Sequence, residues 1–234
     1  KSAADVEIYP DYTLLAGVLR TAGVPPDFES LSPLRYTHRR EGVMDIYFVA
    51  NPQAEEVTTM ATFRVSGRRP EFWWPDTGRI TSVGTWEPKD GRTSLPLKLE
   101  PHGSVCIVFR DRAKAPPAKP GRNWDEFAPA QTITGPWEVR FQPNRGAPEK
   151  LTLDTLADWS KHADVGVRFF SGMATYRRTF DWKPLELAIA NRQSPIFLDL
   201  GRVEVMARIR LNGRDVGVVW KTPFRLDVSD ALRP

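Results

Sequence analysis

VEVMARIRLNGRDVGVVWKTPFRLDVSDALRP, residues Val203 to Pro234, is the stretch whose reading decides the fold. Val203, Val205, Ala207, Ile209 and Leu211 alternate with Glu204, Met206, Arg208 and Arg210, the period-two pattern of a strand with one buried face. Asn212-Gly213 closes that run, and Asn-Gly favours a type I′ turn because both central positions need positive φ. The next strand, Asp215 to Trp220, should therefore fold straight back on the first. A corner at Pro223-Phe224 and the alternation of Leu226 with Val228 then open a third strand.

Working outward, the preceding residues also read as short strands. Trp137 to Phe141, Leu151 to Leu153, Thr175 to Phe180 and Ile196 to Leu200 have strand composition, and Leu153 to Trp159 can form a helical turn. Trp137 and Trp159 are expected to supply core volume. In the pair Arg177-Arg178 one side chain should point inward and require a carboxylate partner such as Asp199 or Asp227. Arg112 to Pro120, RAKAPPAKP, has no apolar period and reads as a semi-extended connector.

Before the connector, Met44 to Ala50 is an almost continuous apolar run, the mark of a strand buried on both faces. Val57, Thr59, Ala61, Phe63 and Val65 alternate with polar neighbours, as do Leu95, Leu97 and Leu99, and then Val105, Ile107 and Phe109. Turn signals at Asn51-Pro52, Ser66-Gly67, Asp76-Thr77-Gly78, Asp90-Gly91 and His102-Gly103 separate these runs. Many short strands without intervening helices indicate antiparallel sandwiches. The expected fold class is all-β: two antiparallel β-sandwiches with a short N-terminal helix. That helix spans Asp11 to Gly23, with Asp11 as cap, Leu14, Leu15, Val18 and Leu19 on one side, and a sandwich or an absent domain needed to cover them.

Composition narrows the functional classes. The chain has 234 residues, 41% hydrophobic and 11% aromatic, ample for two packed cores. A net charge of +4 with basic and acidic residues interspersed leaves no basic stripe, so no nucleic-acid partner is expected. No apolar run approaches the roughly 20 residues of a spanning helix, and no membrane partner is expected. The single cysteine, Cys106, excludes an internal disulfide and reads as an inert strand thiol. His38, His102 and His162 are isolated, without metal-ligand spacing, and no phosphate-binding glycine loop or nucleophile elbow is present. Paired carboxylates at the ends of βα-barrel strands, the usual site of glycosidic chemistry, cannot be read here either.

Three groups of residues suit binding. His38, Arg39 and Arg40 carry donors for hydroxyl or carboxylate groups, or form ion pairs with Glu41 or Asp45. Trp73, Trp74 and Trp86 can offer indole faces to a pyranose ring, although adjacent Trp73 and Trp74 must point to opposite faces of a strand. Trp220 with Lys221 lies beside the Asn-Gly hairpin, where it can contact a sugar or serve only the fold.

The segment Val203–Pro234, together with ATYRRTF (residues 174–180) and FLDLG (residues 197–201), resembles the galactose-binding-like jelly roll appended to many glycoside hydrolases. RYTHRREGVMDIYFVANP, FWWPDTGRI and LEPHGSVCIVFR resemble the β-sandwich that follows the catalytic part of glycoside hydrolase family 106, the α-L-rhamnosidases. The resemblance implies a linker and helix over 1–30, a sandwich over 31–112, a linker over 113–130 and a jelly roll over 131–234 that stops before its closing strand. It also implies that the chain is a non-catalytic C-terminal region with no cofactor of its own. The catalytic barrel, its carboxylates and any calcium would lie upstream, and the partners would be that barrel and a rhamnose-containing oligo- or polysaccharide. A parent of this kind is expected outside the cell or in the periplasm. A free carbohydrate-binding module, an adhesion sandwich and the accessory region of a family 2-like β-glycosidase are the alternatives.

Overall fold

The computed structural model describes residues 12–112, 121–182 and 195–233. The chain is all-β with antiparallel pairing. It forms two compact units: Lys1–Glu126 with Asp199–Ala207 and Val218–Arg225, and Phe127–Leu198 with Arg208–Gly217 and Leu226–Pro234. Asp11 and the connector 113–120 lie outside the described residues.

The first unit opens with helix α1 (Thr13–Thr21), followed by β1 (Phe28–Ser30), β2 (Arg35–Glu41), β3 (Met44–Ala50), β4 (Val57–Phe63), β5 (Arg68–Trp73), β6 (Ile80–Ser82), β7 (Glu87–Lys89), β8 (Arg92–Leu99) and β9 (Ser104–Arg112). These strands make a five-stranded sheet, β2-β3-β9-β5-β6, and a four-stranded sheet, β1-β4-β8-β7. The alternation seen in the sequence sets which side chains meet. Leu95, Leu97 and Leu99 of β8 join Ala61 and Phe63 of β4, facing Tyr47, Val49, Val105, Ile107 and Phe109 of the larger sheet in one core. Each such aliphatic side chain contributes about 1.5–3 kcal/mol by leaving water.

Turn chemistry holds the strands in register. Asp90 and Gly91, between β7 and β8, have φ of 51° and 73°, the positive pair that a tight hairpin needs. Asn51 is buried and ties its own turn, donating to the carbonyls of Glu55 (2.7 Å) and Glu100 (3.1 Å) and accepting from the Gln53 amide (3.0 Å). Asn123, inside the expected 113–130 linker, bonds both the amide (2.7 Å) and the carbonyl (2.8 Å) of Thr85.

One expectation is corrected here. β3 is buried on one face only: Asp45, Tyr47 and Val49 point into the core, while Phe48 remains 39% exposed. Helix α1 forms, with Leu14, Leu15, Val18 and Leu19 all exposed, so of the two covers expected for it the sandwich that follows is not the one.

The second unit carries β10 (Trp137–Phe141), β11 (Lys150–Leu153), α2 (Val165–Arg168) and β12 (Ala174–Arg177), with β11-β10-β12 forming an antiparallel sheet. Val139, Phe141, Val167 and Phe170 form its core, against which Trp159 packs as expected. Asp164 starts α2 by accepting from the Val167 amide at 3.1 Å. Gly166 is required there, since a Cβ would sit 2.0 Å from the Gly146 carbonyl oxygen.

Farther on, β13 (Phe197–Asp199) pairs with β16 (Arg225–Asp227), and β14 (Ala207–Leu211) pairs with β15 (Arg214–Val219). The Asn212-Gly213 turn has φ of 51° and 81°, as its sequence demands. The first of these strands is shorter than expected: Val203 to Met206 lie outside it, and Val205 and Met206 are exposed. Its partner β15 ends at Val219, just before Thr222-Pro223 turns the chain away, so those four residues have no ladder to join. Arg178 also departs from expectation. It donates to the Pro136 carbonyl at 3.0 Å, whereas Asp199 and Asp227 accept from the amides of Gly201 and Ser229.

Leu97→Ala should destabilise the chain by about 2–5 kcal/mol through transfer and cavity terms. Met60→Ala, on the outward face of the paired strand, should change stability by less than about 0.5 kcal/mol. Urea denaturation of both variants checks the inward and outward assignment.

Candidate functional site

β2 runs alongside β3, with Thr37 opposite Phe48, His38 opposite Tyr47, Arg39 opposite Ile46 and Arg40 opposite Asp45. Alternation therefore separates the three basic neighbours: His38 and Arg40 share the inward side, and Arg39 lies on the outer face. The His38 ring stacks on Tyr47, with centroids 4.0 Å apart and planes within 9°. Its Nδ1 is 2.9 Å from Asp27 Oδ2 and its Nε2 is 3.1 Å from Asp45 Oδ1. Ionised carboxylates only accept, so both contacts form together when both ring nitrogens carry hydrogen.

Asp27 also accepts from the Tyr47 hydroxyl and from Arg64 Nη2, each at 3.2 Å. Burial, followed by the charge of Asp27, pushes the Tyr47 phenol well above the usual tyrosine range. Arg40 stands 3.9 Å from Asp45 and is otherwise open to solvent. The expected pairing with Asp45 is thus present, and the cluster is a polar clamp at one end of the sandwich core. Its two carboxylates hold an imidazole between them, an arrangement suited to fixing β2 and the Asp27 turn.

The tryptophans do not form one platform. Trp86 is only 6% exposed and belongs to the core, which removes its ring from any ligand. Trp74 packs against that core and donates its indole N–H to Thr81 Oγ1 at 3.2 Å. Trp73 faces the other way, as its adjacency to Trp74 requires. Its indole N–H donates to Glu71 Oε2 at 3.1 Å, and the Arg110 guanidinium lies over its ring, 5.6 Å from the centroid.

Glu71 anchors this second cluster and was not singled out from the sequence. A carboxylate inside the apolar run Pro70–Trp74, two residues from Arg69, was the available signal. It is 4% exposed and accepts from Arg110 through Nε (3.0 Å) and Nη2 (3.3 Å), with Arg69 Nη2 at 3.5 Å. Burial alone would raise its pKa, but the donors from Trp73, Arg110 and Arg69 outweigh it and hold the carboxyl below its ordinary value.

Trp220 is 64% exposed and Lys221 Nζ forms an ion pair with Asp76 at 2.8 Å. Next to them, Thr222 donates to the Pro101 carbonyl (3.3 Å) and Arg225 pairs with Glu100 (2.6 Å), all within the first unit. Trp220 is therefore the tryptophan among the candidates whose ring is most open, on a loop held by charge on both sides. Among the described residues, no three His, Cys, Asp or Glu side chains converge in a way that could hold a metal ion, and no helix is long and apolar enough to cross a membrane.

Comparison with known proteins places this architecture. Residues 7–87 match the glycoside hydrolase family 106 model, described as alpha-L-rhamnosidase. The solved rhamnosidase of Novosphingobium sp. PP1Y is similar over 94% of this chain, with a TM-score of 0.80 and 35% identity. A protein of Formosa agariphila named "Putative beta-glucuronidase" is 39% identical over 101 residues, 43% of this chain. The chain spans 21% of the rhamnosidase and 8% of the Formosa protein.

The two clusters make separate predictions. His38→Ala should take one of three donors from Asp27 and the hydrogen-bonded donor from Asp45, and cost about 1–3 kcal/mol, read by denaturant midpoint. For Glu71 the sign follows from its lowered pKa: its contribution is complete above the unfolded value of about 4.3 and is lost as pH falls through the folded value. Stability measured between pH 6 and 2.5 should therefore fall less steeply in Glu71→Gln than in the parent sequence. Identical slopes would remove Glu71 from the acid response.

Proposed function

We propose that this chain, which belongs to glycoside hydrolase family 106, is a non-catalytic accessory region of an α-L-rhamnosidase acting on rhamnose-containing glycans. The observation that carries this reading is the similarity of nearly the whole chain to one-fifth of a solved rhamnosidase. In an enzyme of that size a segment of this kind supports the catalytic part. The side chains here are suited to that work: Asp27 and Asp45 are spent on His38, and Glu71 on Arg110, Arg69 and Trp73. On this reading residues 31–112 form the accessory sandwich and the region from 131 onward a galactose-binding-like jelly roll. Any contact with sugar falls to the open indole of Trp220 beside Lys221, or to Trp73.

The hydrolytic carboxylates, and a calcium ion if one is used, would lie in the rest of that enzyme. A rhamnoside is cleaved by a carboxylic acid that protonates the leaving oxygen and a second carboxylate on the opposite side of the ring. This chain would act by holding such a site in place.

A second reading takes the similarity to the Formosa protein as its guide and gives the longer protein a β-glucuronoside substrate. The two separate in one assay of the full-length gene product, on aryl α-L-rhamnoside and aryl β-D-glucuronide in parallel. Release from the rhamnoside alone is the expected result, release from the glucuronide alone overturns it, and Trp220→Ala should raise KM for a polymeric substrate without changing kcat if the loop meets sugar.

A further inference from the structure

The central strands of the larger sheet have the composition of strands covered on both faces, and on the outer face one row is part-exposed. Cross-strand register places Phe48, Cys106, Trp73 and Ile80 in a single row running across β3, β9, β5 and β6. The row beside it, Arg39, Ile46, Val108 and Glu71, is covered at its centre, with Val108 0% and Glu71 4% exposed. A solvated sheet face ordinarily carries polar residues opposite a buried apolar set. The four-stranded sheet follows that rule except where Met60 lies opposite Pro96. Its outward positions pair Thr58 with Lys98 and Thr62 with Ser94, whose hydroxyls bond at 2.9 Å, and Lys98 reaches Glu56 at 2.9 Å. The five-stranded sheet breaks it, with Phe48 39% and Ile80 54% exposed in an otherwise apolar row.

We propose that this outer face is where the remainder of the full-length hydrolase docks, its occupant being a segment of the same polypeptide outside these 234 residues. The inference rests on the reading of the chain as part of a larger enzyme, and specifies the surface. Three observations support it. The row of Phe48, Cys106, Trp73 and Ile80 is contiguous over four strands, an apolar strip in place of scattered exposed residues. The one carboxylate in the patch, Glu71, already has its donors in Arg110, Arg69 and Trp73, so covering it leaves no unpaired charge. Arg39 and Arg110 stand at the edge of the patch and suit a partner presenting carboxylates or carbonyls around an apolar centre.

The occupant follows from size. The solved rhamnosidase matches this chain over 21% of its length, so most of such an enzyme lies elsewhere on the same polypeptide. A tethered segment meets the face at an effective concentration on the order of millimolar, against which a second copy at micromolar concentration competes poorly.

A photo-crosslinking benzoylphenylalanine in place of Phe48 tests this in the full-length protein, with a second variant at Ile80 should the first fail to fold and a control at Met60. Met60 is 49% exposed on the outward side of the other sheet, so exposure alone predicts equal labelling. The expected result is intramolecular crosslinks, mapped by mass spectrometry to residues outside this chain and at least tenfold more abundant from positions 48 and 80 than from 60. Crosslinked dimers, equal yields at all three positions, or a gene product no longer than 234 residues would overturn the proposal. Glycosidase assays on unirradiated protein keep the two readings apart. Crosslinks without rhamnosidase activity retain the docking face and remove the enzymatic reading, and activity without crosslinks does the reverse.

Discussion

The seam between the two sheets, where aromatic rings from three strands meet, is the constraint on which the first unit depends. Tyr47 stands edge-on to Phe63 at 4.9 Å and to Phe109 at 6.1 Å, and Phe63 lies 5.5 Å from Phe109. Once these rings are seated, the period of two determines every other side chain on β3, β4 and β9. A one-residue slip would turn Tyr47 outward and bring Phe48 into the seam. His38 extends the seam to its polar end by stacking on Tyr47, so the clamp of Asp27 and Asp45 and the aromatic core form one continuous structure.

That continuity explains how charged groups are used here. Among the described residues, each buried or half-buried carboxylate in the first unit has donors matched to it before any ligand is considered. Asp27 takes His38, Tyr47 and Arg64, Asp45 takes His38, and Glu71 takes two arginines and an indole. Such groups rigidify a scaffold, which is the role proposed for this chain. In the second unit the same effect occurs at the surface, where Lys150 and Arg140 hold the Glu138 carboxyl down at about 2.

The two faces of the larger sheet differ in what completes them. The inner face is satisfied by the four-stranded sheet. The outer face carries the apolar row Phe48, Cys106, Trp73 and Ile80, exposed at Phe48 and Ile80, and α1 likewise shows Leu14, Leu15, Val18 and Leu19 to solvent. The apolar run Met44–Ala50 has the composition of a strand buried on both faces; Asp45, Tyr47 and Val49 are buried on one, and Phe48 on the other is exposed.

What the residues determined by themselves was local and periodic. Alternation at Leu95–Leu99 and Val105–Phe109, the Asn212-Gly213 turn and the opposed faces of Trp73 and Trp74 follow from backbone sterics and a repeat of two, which act over a few residues. The family resemblance was legible because its phrases lie along those same strands. Only the tertiary structure decided that Trp86 is core, that Asp27 finds His38 from outside the sheet, that Glu71 gathers Trp73 and Arg110, that Arg178 meets a carbonyl in place of a carboxylate, and that Val203–Met206 leave the ladder. Each of those outcomes depends on which distant segment arrives as a neighbour. Burial and pairing are properties of that arrival, and a periodic pattern along one strand holds no information about it.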